Sequence, residues 1–217
     1  MKAKKVIVGI VFGLIIGIIT IIALLYLLLV WVGTGGPPKK IKGAAHYEET
    51  LQKYTTVEYG KVHTAFVCFP HKIPESAFAD GKEPTFYFFY QNTINEPTCE
   101  GYLYCEYSEK DYLAEIERLS QEKNLLQDTE GRFPYPVYIA VDHSEYSYEY
   151  AILPGNNTIA YIYTAWCTTE EGLQAVPKEY LPFDFEDSLT PEKGSRIHHG
   201  YNIYLYPDST RNITAPQ

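Results

Sequence analysis

Charge is the first thing this 217-residue sequence lacks: the 27 residues from Val6 to Val32 carry none. Acid is missing over a longer stretch, since residues 1–42 hold six lysines and no aspartate or glutamate. Local catalytic signatures are missing as well. There is no G-x-S-x-G elbow, no H-E-x-x-H helix, no G-x-x-x-x-G-K-[ST] loop and no G-x-G-x-x-G after a strand. Each absence removes one chemistry, although a triad dispersed along the chain escapes such a test. The four cysteines include no C-x-x-C pair, which argues against a zinc finger and a redox-active dithiol. Glycine and proline together make up only 29 residues, too few for a collagen-like or low-complexity chain.

What is present divides sharply by charge. All 27 acids fall in residues 43–217, beside the remaining 12 basic residues, for a net charge of −15. Such a surface repels phosphates and excludes nucleic acid as a partner. Aromatic residues reach 15% of the chain, so residues beyond 43 have the material for a folded core.

The uncharged run predicts a transmembrane helix over residues 6–32, with 1–5 as a short cytoplasmic tail. At 1.5 Å per residue it is about 40 Å long, against about 30 Å of hydrocarbon. It therefore spans with tilt or with its ends among the headgroups, where Tyr26 and Trp31 are at home. A cleaved signal peptide is the main rival. Its apolar region is usually about 7–15 residues, although Gly33 to Gly36 would offer small residues for cleavage. Lys2, Lys4 and Lys5 nearly balance Lys39, Lys40 and Lys42, and the free amine tips the N-terminus inward. The expected location is thus a cell membrane, single-pass, with the main domain extracytoplasmic and the bilayer as its first partner. Gly9, Gly13 and Gly17 share one helical face, a small-xxx-small pattern for a homo-oligomer or for pairing with another membrane helix.

Residues 33–43, rich in Gly, Pro and Lys, read as a linker. The segment 44–207 reads as one extracytoplasmic α+β domain, with 208–217 as a flexible tail. Strands are expected at Val62–Phe69, Thr85–Gln91, Tyr102–Tyr107, Val137–Asp142, Tyr146–Leu153, Thr158–Trp166 and Asn202–Tyr206, all rich in β-branched and aromatic residues. Pro154-Gly155-Asn156-Asn157 is antiparallel hairpin chemistry. Gly60-Lys61 is a candidate second turn, following a strand at Thr55–Tyr59. Ser108 and Asp111 start one main helix, with Tyr112, Ile116, Leu119 and Leu126 as its apolar stripe. Weaker helices are expected at Ala45–Tyr54 and after Thr168. The fold class is α+β: an antiparallel sheet with one main packed helix behind a single transmembrane helix.

Candidate sites are few. Cys68, Cys99, Cys105 and Cys167 are disulfide candidates with three pairings open. A fully extended Cys99–Cys105 segment spans about 20 Å, beyond the roughly 7 Å a bridge allows. No cofactor, metal or catalytic set is assigned. Asp184, Glu186 and Asp187 lack the EF-hand pattern, and His198-His199 point to opposite faces if extended. Tyr146, Tyr148 and Tyr150 share one strand face, and Tyr161 and Tyr163 another; such faces suit a protein, peptide or glycan ligand, or simple cross-strand packing. Asn156-Asn157-Thr158 and Asn212-Ile213-Thr214 are glycosylation triplets of a common kind. The sequence favours a membrane-anchored, non-catalytic binding or assembly domain at the outer face. The alternative is a tethered hydrolase drawing on Asp142, His143, Asp184 and His198.

Overall fold

The sheet is organised around strand β7 (Thr158–Ala165), all eight of whose residues are buried. A strand with no solvent side must be covered on both faces, and the register shows how. In the computed structural model, residues 2–33, 37–55, 66–91, 98–122, 125–128, 131, 133–140, 147–165, 173–183 and 185 are described. They form helix α1 (Lys2–Gly33), α2 (Tyr47–Thr55) and α3 (Glu109–Gln121). The strands before β7 are β1 (Lys39–Lys42), β2 (Thr85–Gln91), β3 (Thr98–Glu106), β4 (Leu125–Gln127), β5 (Val137–Ala140) and β6 (Ser147–Gly155). Short 3-10 turns complete the fold. The seven strands lie in the order β1-β2-β3-β7-β6-β5-β4, and every neighbouring pair is antiparallel. The architecture is α+β, as the sequence indicates.

One face gathers Phe86, Phe88, Leu103, Cys105, Tyr161 and Tyr163 under α2, α3 and the segment from Phe66 to Ala77. The other gathers Tyr87, Tyr102, Tyr150, Ile152 and Ile162 under Val176, Leu181 and Phe185. The alternation of side chains along a strand produces this division, since cross-strand partners point the same way. Leu103 faces Tyr161 in the register, and Tyr102 faces Ile162. Gly101 is needed where it stands. A Cβ there would lie 3.0 Å from the Phe66 ring, and Phe66 packs against Phe69, Phe88 and Tyr163.

The β6–β7 hairpin closes through Asn156 and Asn157, at φ 52° and 56°. Both central residues are left-handed, as the tight turn matching strand twist requires, and asparagine tolerates that region. Helix α3 begins where expected, with the Ser108 hydroxyl accepting from the Asp111 amide at 3.2 Å. Helix α2 and the turn before it cover the weaker helical expectation at Ala45–Tyr54.

Several expectations are corrected. Lys39–Lys42 is an edge strand paired with β2, so the sheet begins inside the segment read as linker. Phe66–Phe69 is a turn and bend. Phe66 has φ 72°, and the amides of Phe66 and Cys68 bond a carboxylate instead of a strand ladder. Leu126 belongs to β4, because α3 ends at Gln121. Thr55 closes α2; the rest of the Gly60-Lys61 hairpin, residues 62–65, the turn after Thr168, the strand at Asn202–Tyr206 and the 208–217 tail lie outside the described residues.

Candidate functional site

The densest cluster of ionisable groups lies beneath α3. Glu115 and Arg118 stand one turn apart on its inner side, and Arg118 reaches both carboxylate oxygens, Nε to Oε2 at 2.9 Å and Nη2 to Oε1 at 2.6 Å. The same Nη2 donates to the Cys68 carbonyl at 2.6 Å. The Tyr161 hydroxyl donates to Glu115 Oε1 at 2.8 Å, and Tyr107 and Tyr161 share a hydrogen bond of 2.7 Å. Burial opposes the Arg118 cation, but hydrogen bonding and charge from Glu115 outweigh it and raise its pKa. Burial also drives the Cys105 thiol up to about 12 and raises Cys68, Tyr107 and Tyr161. At neutral pH these thiols and phenols hold their protons, so none is a ready nucleophile or base. The network fastens α3 to the sheet and to the Cys68 bend.

Two buried carboxylates have the same fastening role. Glu100, fully buried on β3, accepts from the amides of Gln174 and Ala175 at 2.8 Å and of Val176 at 3.0 Å. Glu149, 4% exposed on β6, accepts from Phe66 N at 2.8 Å and Cys68 N at 2.5 Å. The register places them on opposite faces, since Glu100 partners Thr164 and Glu149 partners Tyr163 on the next residue. Each gathers backbone donors of an irregular segment that would otherwise be buried without partners. The sequence signal was available: an acid inside an aromatic strand is expensive unless satisfied.

The sequence-derived candidates are distributed as follows. No two of Cys68, Cys99 and Cys105 come within bonding distance, which overturns the expectation of a disulfide among them. Cys99 and Cys105 ride one extended strand, while Cys68 sits in the bend with its Sγ 3.8 Å from the Tyr138 carbonyl. Cys167 lies outside the described residues, as do Asp142, His143, Tyr146, Asp184, Glu186, Asp187, His198 and His199. Tyr150, Tyr161 and Tyr163 are buried at 1% exposure or less, so these three rings are core rather than open recognition surface. Gly9, Gly13 and Gly17 lie on α1 with no neighbouring atoms over their faces. Among the described residues, no group of three or more His, Cys, Asp or Glu is placed to hold a metal.

An open feature lies at the sheet edge. Between β1 and α2 is a cleft of about 320 Å³, lined by Lys40, Lys42, His46, Glu49, Thr50 and Lys53 over Ile41. Glu49, Thr50 and Lys53 recur at helical spacing and so present one stripe of α2 to the strand, with His46 in the 3-10 turn just before it. The Gly43 amide bonds the Phe86 carbonyl at 3.0 Å. Antiparallel alternation then turns Ile41 toward β2 and the backbone amides of Lys40 and Lys42 outward. Lys40 Nζ donates to Gln174 at 3.2 Å and lies 5.8 Å from the Phe89 ring centroid; Lys42 Nζ lies 5.5 Å from that of Tyr87. The sequence reading missed this cleft because four residues of Lys-Lys-Ile-Lys are too short to register as a strand.

Comparison of the chain with protein-family models, curated proteins and solved structures finds no match.

Proposed function

We propose that this chain is a single-pass membrane protein whose N-terminus stays inside and whose α+β domain is held at the outer face, where it binds or assembles rather than catalyses. The observation that carries the reading is α1. Its segment Val11–Trp31 is 21 residues long, has a mean hydropathy of 2.9 and is 0% buried against the rest of the chain. At 1.5 Å per residue that is about 31 Å, the thickness of the hydrocarbon layer. Water solvates such a surface badly, and a bilayer solvates it well. The side rests on the lysine balance and the N-terminal amine alone, because the buried thiols give no sign of an oxidising compartment. Assembly through the face of Gly9, Gly13 and Gly17 is part of the proposal. The enclosed, protonated thiols and phenols beneath α3 favour a structural over a chemical role for that cluster.

Protease added to intact cells tests the orientation. The reading expects the domain to be digested from outside while the N-terminal tail is protected. A domain that resists until the membrane is broken, although readily cleaved afterwards, places it inside and refutes the proposed side.

A further inference from the structure

Strand β1 is the last strand on its side of the sheet among the described residues. Lys39 and Ile41 stand opposite Tyr90 and Phe88 of β2, and the Gly43 amide bonds the Phe86 carbonyl. Alternation along an antiparallel pair therefore turns the N–H and C=O groups of both Lys40 and Lys42 away from the sheet. Among the described residues no backbone bond engages these four groups. We propose that this open edge, with the β1–α2 cleft beside it, takes up an extended segment of a partner protein as an added strand, and that the segment reads acid–apolar–acid. The inference gives the binding reading of the domain a partner and rests on that reading, but not on which side of the membrane the domain occupies.

The hydrogen-bonding groups select a polypeptide. Each of the two lysines offers a donor and an acceptor in the plane of the sheet, and another extended backbone answers both. An anion would answer the donors only and be repelled by the carbonyls. The side chains select the sequence. Cross-strand partners share a face, so residues opposite Lys40 and Lys42 emerge where those ammonium groups lie, over the rings of Phe89 and Tyr87 and beside Gln174. Among the described residues neither lysine forms an ion pair with a carboxylate. Ring faces and a neutral amide position these exposed charges without cancelling them, so an acid is favoured at each opposing position. The residue between the two acids stands opposite Ile41, on the α2 side. There it enters the cleft against half-buried Ile41 and buried Thr50, while exposed Glu49 and Lys53 offset each other in charge. An apolar side chain suits that position. A second copy of β1 is excluded by the same charges, because joining two such edges antiparallel sets lysine against lysine.

The test uses the full chain in detergent micelles with the peptide Ser-Thr-Glu-Val-Glu-Thr-Ser. Because a four-residue edge offers few contacts, the peptide is taken up to about 5 mM. Amide hydrogen exchange is followed at Lys40 and Lys42, with Ile41, whose amide faces β2, as the control within the strand. The expected result is slower exchange at Lys40 and Lys42 with little change at Ile41. Replacing both glutamates of the peptide by lysine should weaken its binding about tenfold. The double variant Lys40→Glu, Lys42→Glu should reverse that preference. Methylating the two glutamate amide nitrogens keeps the charge, removes the donors and should abolish the protection. Protection that survives methylation overturns strand addition in favour of charge attraction alone, and equal protection by the glutamate and lysine peptides overturns the sequence selection. Slow exchange at Lys40 and Lys42 before any peptide is added shows that this chain covers its own edge, which also refutes the partner. No protection by any peptide overturns the edge as a site, while the anchor and its side are judged separately by the protease experiment.

Discussion

Helix α1 and strand β7 are both largely apolar, and they dispose of their side chains in opposite ways. Every residue of β7 is buried, between helices on one face and the 173–185 segment on the other. Leu14, Ile18, Leu24 and Leu29 of α1 remain 57–70% exposed. A folded domain satisfies apolar surface by covering it. An apolar segment left uncovered from Val11 to Trp31 is compatible with a membrane anchor or a signal sequence, either of which meets another apolar medium. The strand belongs to water's exclusion from a core; the helix, on the reading proposed above, belongs to a lipid solvent.

Charge placed in each region breaks this comparison most forcefully. Ile162→Asp puts an unpaired carboxylate where exposure is 0% and should cost more than about 4 kcal/mol, leaving no cooperative unfolding transition. Ile18→Asp should leave the domain's thermal midpoint in detergent unchanged, while membrane retention falls with an insertion cost of about 3 kcal/mol. A lowered midpoint in the α1 variant would mean that the helix packs on the domain after all.

The two buried glutamates sharpen the comparison within the sheet. Glu100→Ala orphans three backbone donors and Glu149→Ala two, by the hydrogen bonds described. Each should lose about 2–4 kcal/mol, with Glu100→Ala the larger. Hydrogen exchange should locate the damage at residues 174–176 for the first and 66–68 for the second.

Alkali supplies a graded test. Cys105 rises from an ordinary 9.0 to about 12 through burial, so the unfolded chain releases this proton first. Stability is therefore level below about pH 9 and declines from there to about pH 12, by about 1.4 kcal/mol per pH unit for this group. Cys105→Ser in chemical denaturation at stepped pH should flatten part of that decline. The smallest effect belongs to Ser108→Ala, which removes the cap at Asp111 and should cost about 1 kcal/mol with α3 otherwise intact.

Regular elements with a dense local signal were legible in the sequence. Strand β2 matches its expected limits of Thr85–Gln91, and the Asn156-Asn157 turn and the Ser108 cap follow from residue chemistry alone. Elements decided by distant partners were not. Phe66 and Cys68 look like strand residues, but Glu149, 83 and 81 residues away, captures their amides. β1 exists because β2 offers it an edge, and its three lysines read equally well as a solvated linker. The separation of Cys99 and Cys105 follows from their spacing on one extended strand, whereas the place of Cys68 in a bend, away from both, was not legible; Cys167 lies outside the described residues. Part of the candidate site was visible as lysines beside a membrane segment. The cleft itself required the α2 stripe to be set against β1.

Alkaline extraction of native membranes, followed by mass spectrometry of the chain's N-terminus, addresses the central claim most directly. The account predicts an intact chain, with α1 still attached, that stays in the membrane pellet at high pH. A soluble product whose first residue lies beyond Gly33 would contradict it.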